Sequence, residues 1–125
     1  MSSLATATPV AAQGADIATV TTTIAAASSL SPAIDLTTKR LAGIIIPSSW
    51  SAADLTMQVS PDGTNWSNLY DSVGTEYTIT AAASRAIIVP LHDMIGFRYI
   101  KIRSGTSGTP VNQTDARTLT LICVR

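Results

Sequence analysis

The chain has 125 residues, of which only 13% are charged, and its formal net charge is +0. That length fits one domain built around one core. Because nucleic acids and anionic membranes are bound through clusters of Lys and Arg that this chain lacks, we expect neither as a partner. Ordinary soluble proteins carry about 25% charged residues, so such sparse charge favours a protein that packs against other proteins.

Residues 1–15 are small, nearly uncharged and without a regular hydrophobic period. They also lack the basic start of a secretory signal, so we expect a protein that is made and assembled in the cytoplasm. Such a segment buries too little apolar area to offset the ordering of its backbone. The sequence therefore predicts an extended N-terminal arm that orders on a neighbouring subunit, and one domain over 16–125. Candidate partner-binding residues in the arm and the following strand are Ser2, Leu4, Thr6, Thr8, Val10, Ile17 and Val20.

From Asp16 onward the residues favour strands, because Thr, Val and Ile are abundant and apolar residues alternate with polar ones. Clusters of Gly, Pro, Ser and Asn separate about eight short runs, a rhythm typical of an antiparallel β-sandwich. The runs are, in chain order, "DIATVTTTI", "AIDLT", "RLAGIIIP", "DLTMQVS", "EYTIT", "RAIIVP", "FRYIKIR" and "RTLTLICVR". Only "SSWSAAD" and "PLHDMIG" are predicted to form a helical turn.

Alternation within "FRYIKIR" predicts which of its side chains reach the core. Ile100 and Ile102 share the core face, and Lys101 and Arg103 then lie on a solvated face or contact a partner's acidic groups. Arg98, at the start of the run, is expected to lay its stem on apolar neighbours and to pair with a carboxylate. The candidate carboxylates are Asp62, Asp71 and Asp93.

The stretch "VSPDGTNWSNLYDS" predicts a hairpin. Gly63 supplies the positive φ that such turns need, and Asp62 can accept hydrogen bonds from the backbone after it. Trp66 follows the turn, and two interpretations apply to it. Its indole either seals the end of the sandwich, in which case Trp66→Ala costs about 3–5 kcal/mol, or stacks on a sugar. We favour the structural interpretation.

The segment "SGTSGTPVNQTDA", residues 104–116, is the longest non-periodic stretch of the predicted domain. Long loops in compact domains are usually functional or disordered. Its Gly, Ser, Thr and Asn residues can hydrogen-bond in many geometries and allow close backbone approach, so we expect it to contact a partner. The candidate contact residues are Thr106, Thr109, Val111 and Asn112.

Residue types that carry catalysis are scarce in this sequence. His92 is the only histidine, and although Asp93 is next to it, no nucleophile-elbow pattern accompanies the pair. Cys123 is the only cysteine and lies in the apolar run "LTLICV", which predicts a buried thiol. We therefore expect no enzyme activity, no catalytic residue, no cofactor and no metal site.

A strand, "SPDGTNWSNLYD", a further strand, "RYIKIR" and a final "LTLICV" follow one another over roughly residues 41–124. This succession resembles the discoidin-like (galactose-binding-like) jelly roll, in which a "DG..W" hairpin precedes an "RYIRI" strand. The resemblance implies an all-β jelly roll. It implies no particular ligand, because such domains bind glycans, lipids or proteins.

The segments "IPSSWSAADLTMQVSPDGTNWSNLYD", "FRYIKIRSGTSGTPVNQ" and "RTLTL" are similar to small virion proteins of tailed bacteriophages. That similarity implies a structural component of the phage particle, and we expect a decoration or cement protein on the capsid surface. Its partners would be the major capsid protein and further copies of itself as a homo-oligomer. Two alternatives remain open at this point: a glycan-binding module on a head fibre or tail, and a structural component of the tail or connector.

Overall fold

A computed structural model of the chain describes residues 17–125. It contains eight strands: β1 (Ile17–Ile24), β2 (Ile34–Asp35), β3 (Arg40–Ile45), β4 (Leu55–Ser60), β5 (Ser67–Asn68), β6 (Ala86–Ile88), β7 (Tyr99–Ser104) and β8 (Arg117–Val124). A single helical turn, α1 (Leu91–Met94), lies between β6 and β7. No helix in this part of the chain is long and apolar enough to span a membrane. The predicted arm, with Ser2, Leu4, Thr6, Thr8 and Val10, lies outside the described residues.

The strands form two four-stranded sheets in which every pair is antiparallel. The first sheet has the order β1-β8-β3-β6 and the second the order β2-β7-β4-β5. The neighbours β1·β8, β2·β7, β3·β6 and β4·β5 are those of one long hairpin folded over on itself. Rolling that hairpin up adds the pairs β3·β8 and β4·β7. This is the connectivity of a jelly roll, so the predicted antiparallel β-sandwich is confirmed.

The core lies between the inner faces of the two sheets. β8 contributes Leu119, Leu121 and Cys123, all fully buried, and β7 contributes Ile100 and Ile102, as the alternation of "FRYIKIR" predicts. Burial raises the pKa of the Cys123 thiol, although the charge of Lys39 opposes that effect. The predicted buried thiol is therefore confirmed.

Two local predictions differ from the structure. "EYTIT" forms no strand; it makes only two isolated bridges, through Glu76 to Tyr70 and through Ile79 to Leu55. "SSWSAAD" is not helical. In that segment Trp50 folds against the core, and its indole N–H donates to the carbonyl of Ala53 at 3.1 Å.

Candidate functional site

The outer face of the first sheet is almost free of charge. Strand register separates this face from the core face: Leu41 pairs with Cys123 on the inside, whereas Ile45 pairs with Thr120 on the outside. Arg40, the first residue of β3, is the only charged residue on it among the described residues. We call this surface the threonine-isoleucine face. Its residues are Ile17, Thr19, Thr21, Thr23, Arg40, Gly43, Ile45, Ala86, Ile88, Thr118, Thr120, Ile122 and Val124.

Large apolar side chains stand exposed on the threonine-isoleucine face. The exposed fractions are 74% for Ile17, 38% for Ile45 and 84% for Ile88. Ile122 lies between them and is half-buried. Contiguous exposed apolar surface on a folded domain is characteristic of protein-binding sites. This face can therefore bind a partner by apolar contact and hydroxyl hydrogen bonds.

A shallow depression of about 210 Å³ lies at the β6 end of this face. A bulge in β3 between Leu41 and Gly43 shifts the register there. Gly43 has no side chain to fill the space, and a Cβ built on it would lie 3.2 Å from the carbonyl oxygen of Ile87. The result is a hollow walled by Ile45, Ile88 and Ile122 that can receive an apolar side chain.

The outer face of the second sheet is polar and largely covered. Arg103 on β7 is buried there. The prediction that it lies on a solvated face is therefore wrong. Its guanidinium donates to Thr56 Oγ1 at 3.2 Å, to Asn68 Oδ1 at 2.7 Å and to Glu76 Oε2 at 3.3 Å. Glu76 also accepts from the backbone N–H of Ser107. Across residues 17–125, every buried side-chain nitrogen and oxygen has a hydrogen-bond partner, so this cluster is a closed structural network.

The hairpin between β4 and β5 has the predicted turn chemistry. Gly63 has φ +78°. Asp62 accepts from the backbone N–H groups of Asn65 and Thr64, each at 2.9 Å, and from the Asn65 amide at 2.7 Å. These bonds hold the pKa of the Asp62 carboxyl well below its usual range, and the bond from the Asn65 backbone N–H has the largest effect. A hydrogen bond from the Ser60 hydroxyl lowers the pKa further.

Trp66 does not seal the sandwich, which contradicts the favoured interpretation. The residue is half-buried on the outer face of the second sheet, and the Lys101 ammonium lies 4.3 Å from its ring centroid. The core-packing tryptophan is Trp50. Sequence alone could not separate the two tryptophans, because Trp50 lies in the helix-like "SSWSAAD" and Trp66 follows a strong hairpin signal.

Arg98 makes a contact different from those predicted. Its Nε donates to Thr37 Oγ1 at 3.0 Å, and Thr37 in turn donates to Asp35. The hydrogen bonds from Thr37, helped by the charge of Arg98, lower the pKa of Asp35. The guanidinium also lies 5.5 Å from the Tyr99 ring centroid. The predicted carboxylates are engaged elsewhere: Asp62 and Asp71 in their own turns, and Asp93 with Tyr77.

The loop after β7 is folded back and anchored. The Val111 N–H donates to the Ser104 carbonyl at 2.8 Å, and Thr106 and Thr109 bond each other across the tip. Gln113, fully buried, bonds both backbone groups of Ser51. Of the four candidate contact residues, Thr109 and Asn112 are exposed and Thr106 and Val111 are half-buried.

The predicted partner-binding residues do not form one surface. Ile17 lies on the threonine-isoleucine face. Val20 points inward and packs against the core. The loop tip lies by the second sheet, because Ser107 bonds Glu76 there. Sequence reasoning missed Ile45, Ile88 and Ile122, and the only signal for them was the lack of charge along β1, β6 and the middle of β3 and β8.

An aromatic cleft of about 320 Å³ lies near α1. Tyr70, Tyr77 and Phe97 line it together with Asp71 and Asp93. The Tyr77 hydroxyl donates to Asp93 Oδ2 at 2.8 Å, and burial, reinforced by that bond, raises the pKa of Tyr77 far above its ordinary value.

The catalytic candidate His92 lies in an open position. It is strongly exposed, and its Nε2 lies 3.2 Å from Asp93 Oδ1. Within residues 17–125, no three His, Cys, Asp or Glu side chains are grouped so that they could hold a metal ion.

No protein-family model matches the chain, and no curated protein matches it in sequence.

Proposed function

We propose that this chain is a non-enzymatic structural protein of a tailed-bacteriophage particle. It would act as a decoration or cement protein that binds the lattice of the major capsid protein on the capsid surface and stabilises the head. The observation that carries the proposal is the threonine-isoleucine face, on which Ile45 and Ile88 stand exposed beside the Gly43 hollow. The similarity of the sequence to small virion proteins of tailed phages supplies the identity of the partner.

The chemistry of this face suits adhesion to a protein lattice. Apolar surface gains about 25 cal/mol for each Å² removed from water, and Thr hydroxyls can bond whichever donors or acceptors the partner presents. Because Arg40 is the only charge that the described residues place on the face, docking requires little desolvation of ions. A standard contact of about 800 Å² per partner, repeated at every lattice site, is enough to resist separation of neighbouring capsid subunits.

The N-terminal arm has a second role in the proposal. Arm residues such as Leu4 and Val10 would add a tether that raises the effective concentration of the domain at its site. Contacts by the loop residues Thr109 and Asn112 would reach a neighbour on the other side of the sandwich. Chains lacking residues 1–15 are then expected to fold and to bind particles more weakly than the full chain.

Co-sedimentation with capsids that lack the protein tests the proposal. Ile88→Lys places a charge on the wall of the Gly43 hollow, and we expect it to weaken binding at least tenfold, because a desolvated unpaired charge is costly. Val73→Lys is the matched control, since Val73 has the same exposed fraction of 84% but lies in the turn after β5. Circular dichroism checks that both variants fold. Equal binding of Ile88→Lys and the wild type would refute this role for the face.

A tail or connector component would use the same adhesive face. Labelling the chain and locating it in images of the whole particle distinguishes the two locations: density on the head supports decoration, and density at the tail or neck supports the alternative.

The aromatic cleft favours one further candidate function, glycan binding. Sugar rings stack on aromatic side chains, and Tyr70 is exposed at the mouth of a cleft that also carries Asp71. Trp66, whose ring lies close to Lys101, is a poorer platform. Glycan-array binding that is lost in Tyr70→Ala and retained in Trp66→Ala would support this function, and an array with no signal for the wild type would exclude it.

A further inference from the structure

The four edge strands of the sandwich are very unequal. β2 and β5 have two residues each and β6 has three, whereas β1 has eight. Short edge strands are a common defence against unwanted pairing. Charge and proline protect the short edges further, since β2 contains Asp35 and β6 lies between Arg85 and Pro90. Only β1 is both long and without such protection among the described residues.

The composition of β1 is that of a strand prepared for pairing. Its sequence, "IATVTTTI", contains no charge, no Pro and no Gly, and all its residues except Ala18 are β-branched. Within residues 17–125 it pairs only with β8, so its other side presents backbone N–H and C=O groups that have no strand partner among these residues. Natural edge strands that remain free usually carry a Lys, a Pro or a bulge. None of these is present in β1.

Space for a further strand exists beside this edge. An open groove of about 560 Å³ runs along it, lined by residues 20–23 of β1, by residues 32–35 and by Lys39. The charged groups that face the groove are Asp35 and Lys39, which have opposite signs. An incoming neutral strand therefore meets no net charge at this edge.

We infer that β1 pairs antiparallel with β1 of a second copy of this chain, which joins the two first sheets into one eight-stranded sheet across a two-fold axis. A two-fold interface brings each residue near the axis close to its own copy, so any charge there would repel itself. The absence of charge over all eight residues of β1 satisfies that requirement. A strand that pairs with an unrelated partner would be under no such requirement, because its residues would not face their own copies. A formal net charge of +0 also leaves the two copies without long-range repulsion.

The residue pattern restricts the register of this pairing. Residues directly opposite in an antiparallel pair share a face, and in β1 Thr19 and Thr21 point outward whereas Val20 and Thr22 point inward. Registers centred on Val20 or on Thr21 keep outward residues opposite outward residues. In either register Thr19 and Thr21 of one copy lie opposite or diagonal to those of the other. The paired sheets would present a threonine-isoleucine face of double width.

Charge placed on β1 tests the inference in the full chain. Analytical ultracentrifugation is expected to show a concentration-dependent dimer of the 13.0 kDa chain. The double variant Thr19→Lys with Thr21→Lys brings like charges opposite each other in the dimer, and we expect its dimer dissociation constant to rise at least tenfold. The double variant Thr19→Glu with Thr21→Glu should behave in the same way. Mixing the two should restore a dimer of mixed composition, which also shows that both variants are folded.

The matched control carries the same two charges at the same spacing on the opposite edge. Ala86→Lys with Ile88→Lys lies on the same face but on β6, three strands from β1. Unchanged dimerisation of this control supports pairing through β1. Loss of the dimer in the control would show instead that the copies meet through the apolar face, and would overturn the inference.

Two further results would also overturn it. One is a chain that stays monomeric at every concentration. The other is a dimer that survives the β1 charges but disappears when residues 1–15 are deleted, since the arm would then be the pairing element. The inference does not depend on the capsid: a chain that dimerises through β1 but never binds capsids would contradict the proposed function and leave this pairing intact.

Discussion

The guanidinium of Arg103 lies 3.3 Å from a carboxylate oxygen of Glu76, and both side chains are nearly enclosed. A buried ion pair adds little stability compared with apolar residues of the same shape, but removal of one partner leaves an uncompensated charge. Glu76→Ala is therefore expected to destabilise the fold strongly, by an amount near the lower end of about 3–5 kcal/mol. Urea denaturation at neutral pH measures the loss, and Asp115→Ala, at an exposed acid, is the control.

A second variant separates charge burial from packing. Arg103→Met with Glu76→Leu replaces both partners with apolar groups, and we expect it to recover most of the stability lost in Glu76→Ala. A cost below about 1 kcal/mol for Glu76→Ala, the range of an exposed pair, would show that water reaches the site and would contradict the burial of the Arg103–Glu76 pair.

The two tryptophans should differ in their contribution to stability. Trp50→Ala removes a side chain that packs against the core and is expected to cost about 3 kcal/mol or more. Trp66→Ala removes a half-buried ring near Lys101, for which about 1–2 kcal/mol is expected. Far-UV circular dichroism in a urea titration compares the two without relying on tryptophan fluorescence. A larger cost at Trp66 than at Trp50 would reverse this assignment.

The sandwich could be predicted from sequence because its signals are local. Period-two alternation in β7 and β8 fixes which residues face the core, and an Asp-Gly turn fixes the β4·β5 hairpin. The predicted helical turn in "SSWSAAD" does not form, because a capping Ser and two Ala residues give only a weak local preference for a helix. Packing of Trp50 against the core overrides it.

The surfaces could not be predicted because exposure depends on contacts between distant segments. Alternation places Arg103 on the outside of its sheet, but Glu76 and Ser107, from two separate loops, cover that position. The contact role of Ile45 and Ile88 was missed for a different reason. An exposed isoleucine does not show from sequence alone that its neighbours join it in one apolar surface, and only the strand register places Ile45 and Ile88 outward on the same face.

The turn at Asp62 predicts a particular dependence of stability on pH. Its carboxylate has a folded-state pKa below the unfolded value of about 3.9. The hydrogen bonds that lower it therefore stabilise the fold above that pH, and their contribution is lost as the pH falls through the folded-state value. We expect Asp62→Ala to be less stable than the wild type at neutral pH, with a difference that shrinks in acid. Denaturation series at several pH values measure that difference, and one that stays constant into strong acid would rule out the carboxylate as its source.

Gly105, where the loop after β7 begins, should be the least replaceable glycine of that loop. Its φ is +90°, and a Cβ there would lie 2.6 Å from both the Thr109 carbonyl oxygen and the Val111 backbone nitrogen. Its own backbone donates to the Asp54 carbonyl and accepts from the Thr56 hydroxyl, each at 2.7 Å, so it cannot move without breaking these bonds.

Gly105→Ala is therefore expected to cost at least about 2 kcal/mol, from the positive φ and from the displaced backbone together. Gly108→Ala, in the same loop but with open space around it, should be nearly neutral. Thermal melts of the two variants provide the comparison. Because Thr56 also bonds Arg103, the loss at Gly105 should be accompanied by faster hydrogen exchange in the middle of β4. An unchanged exchange rate in β4 would show that the loop and the Arg103 network are energetically independent.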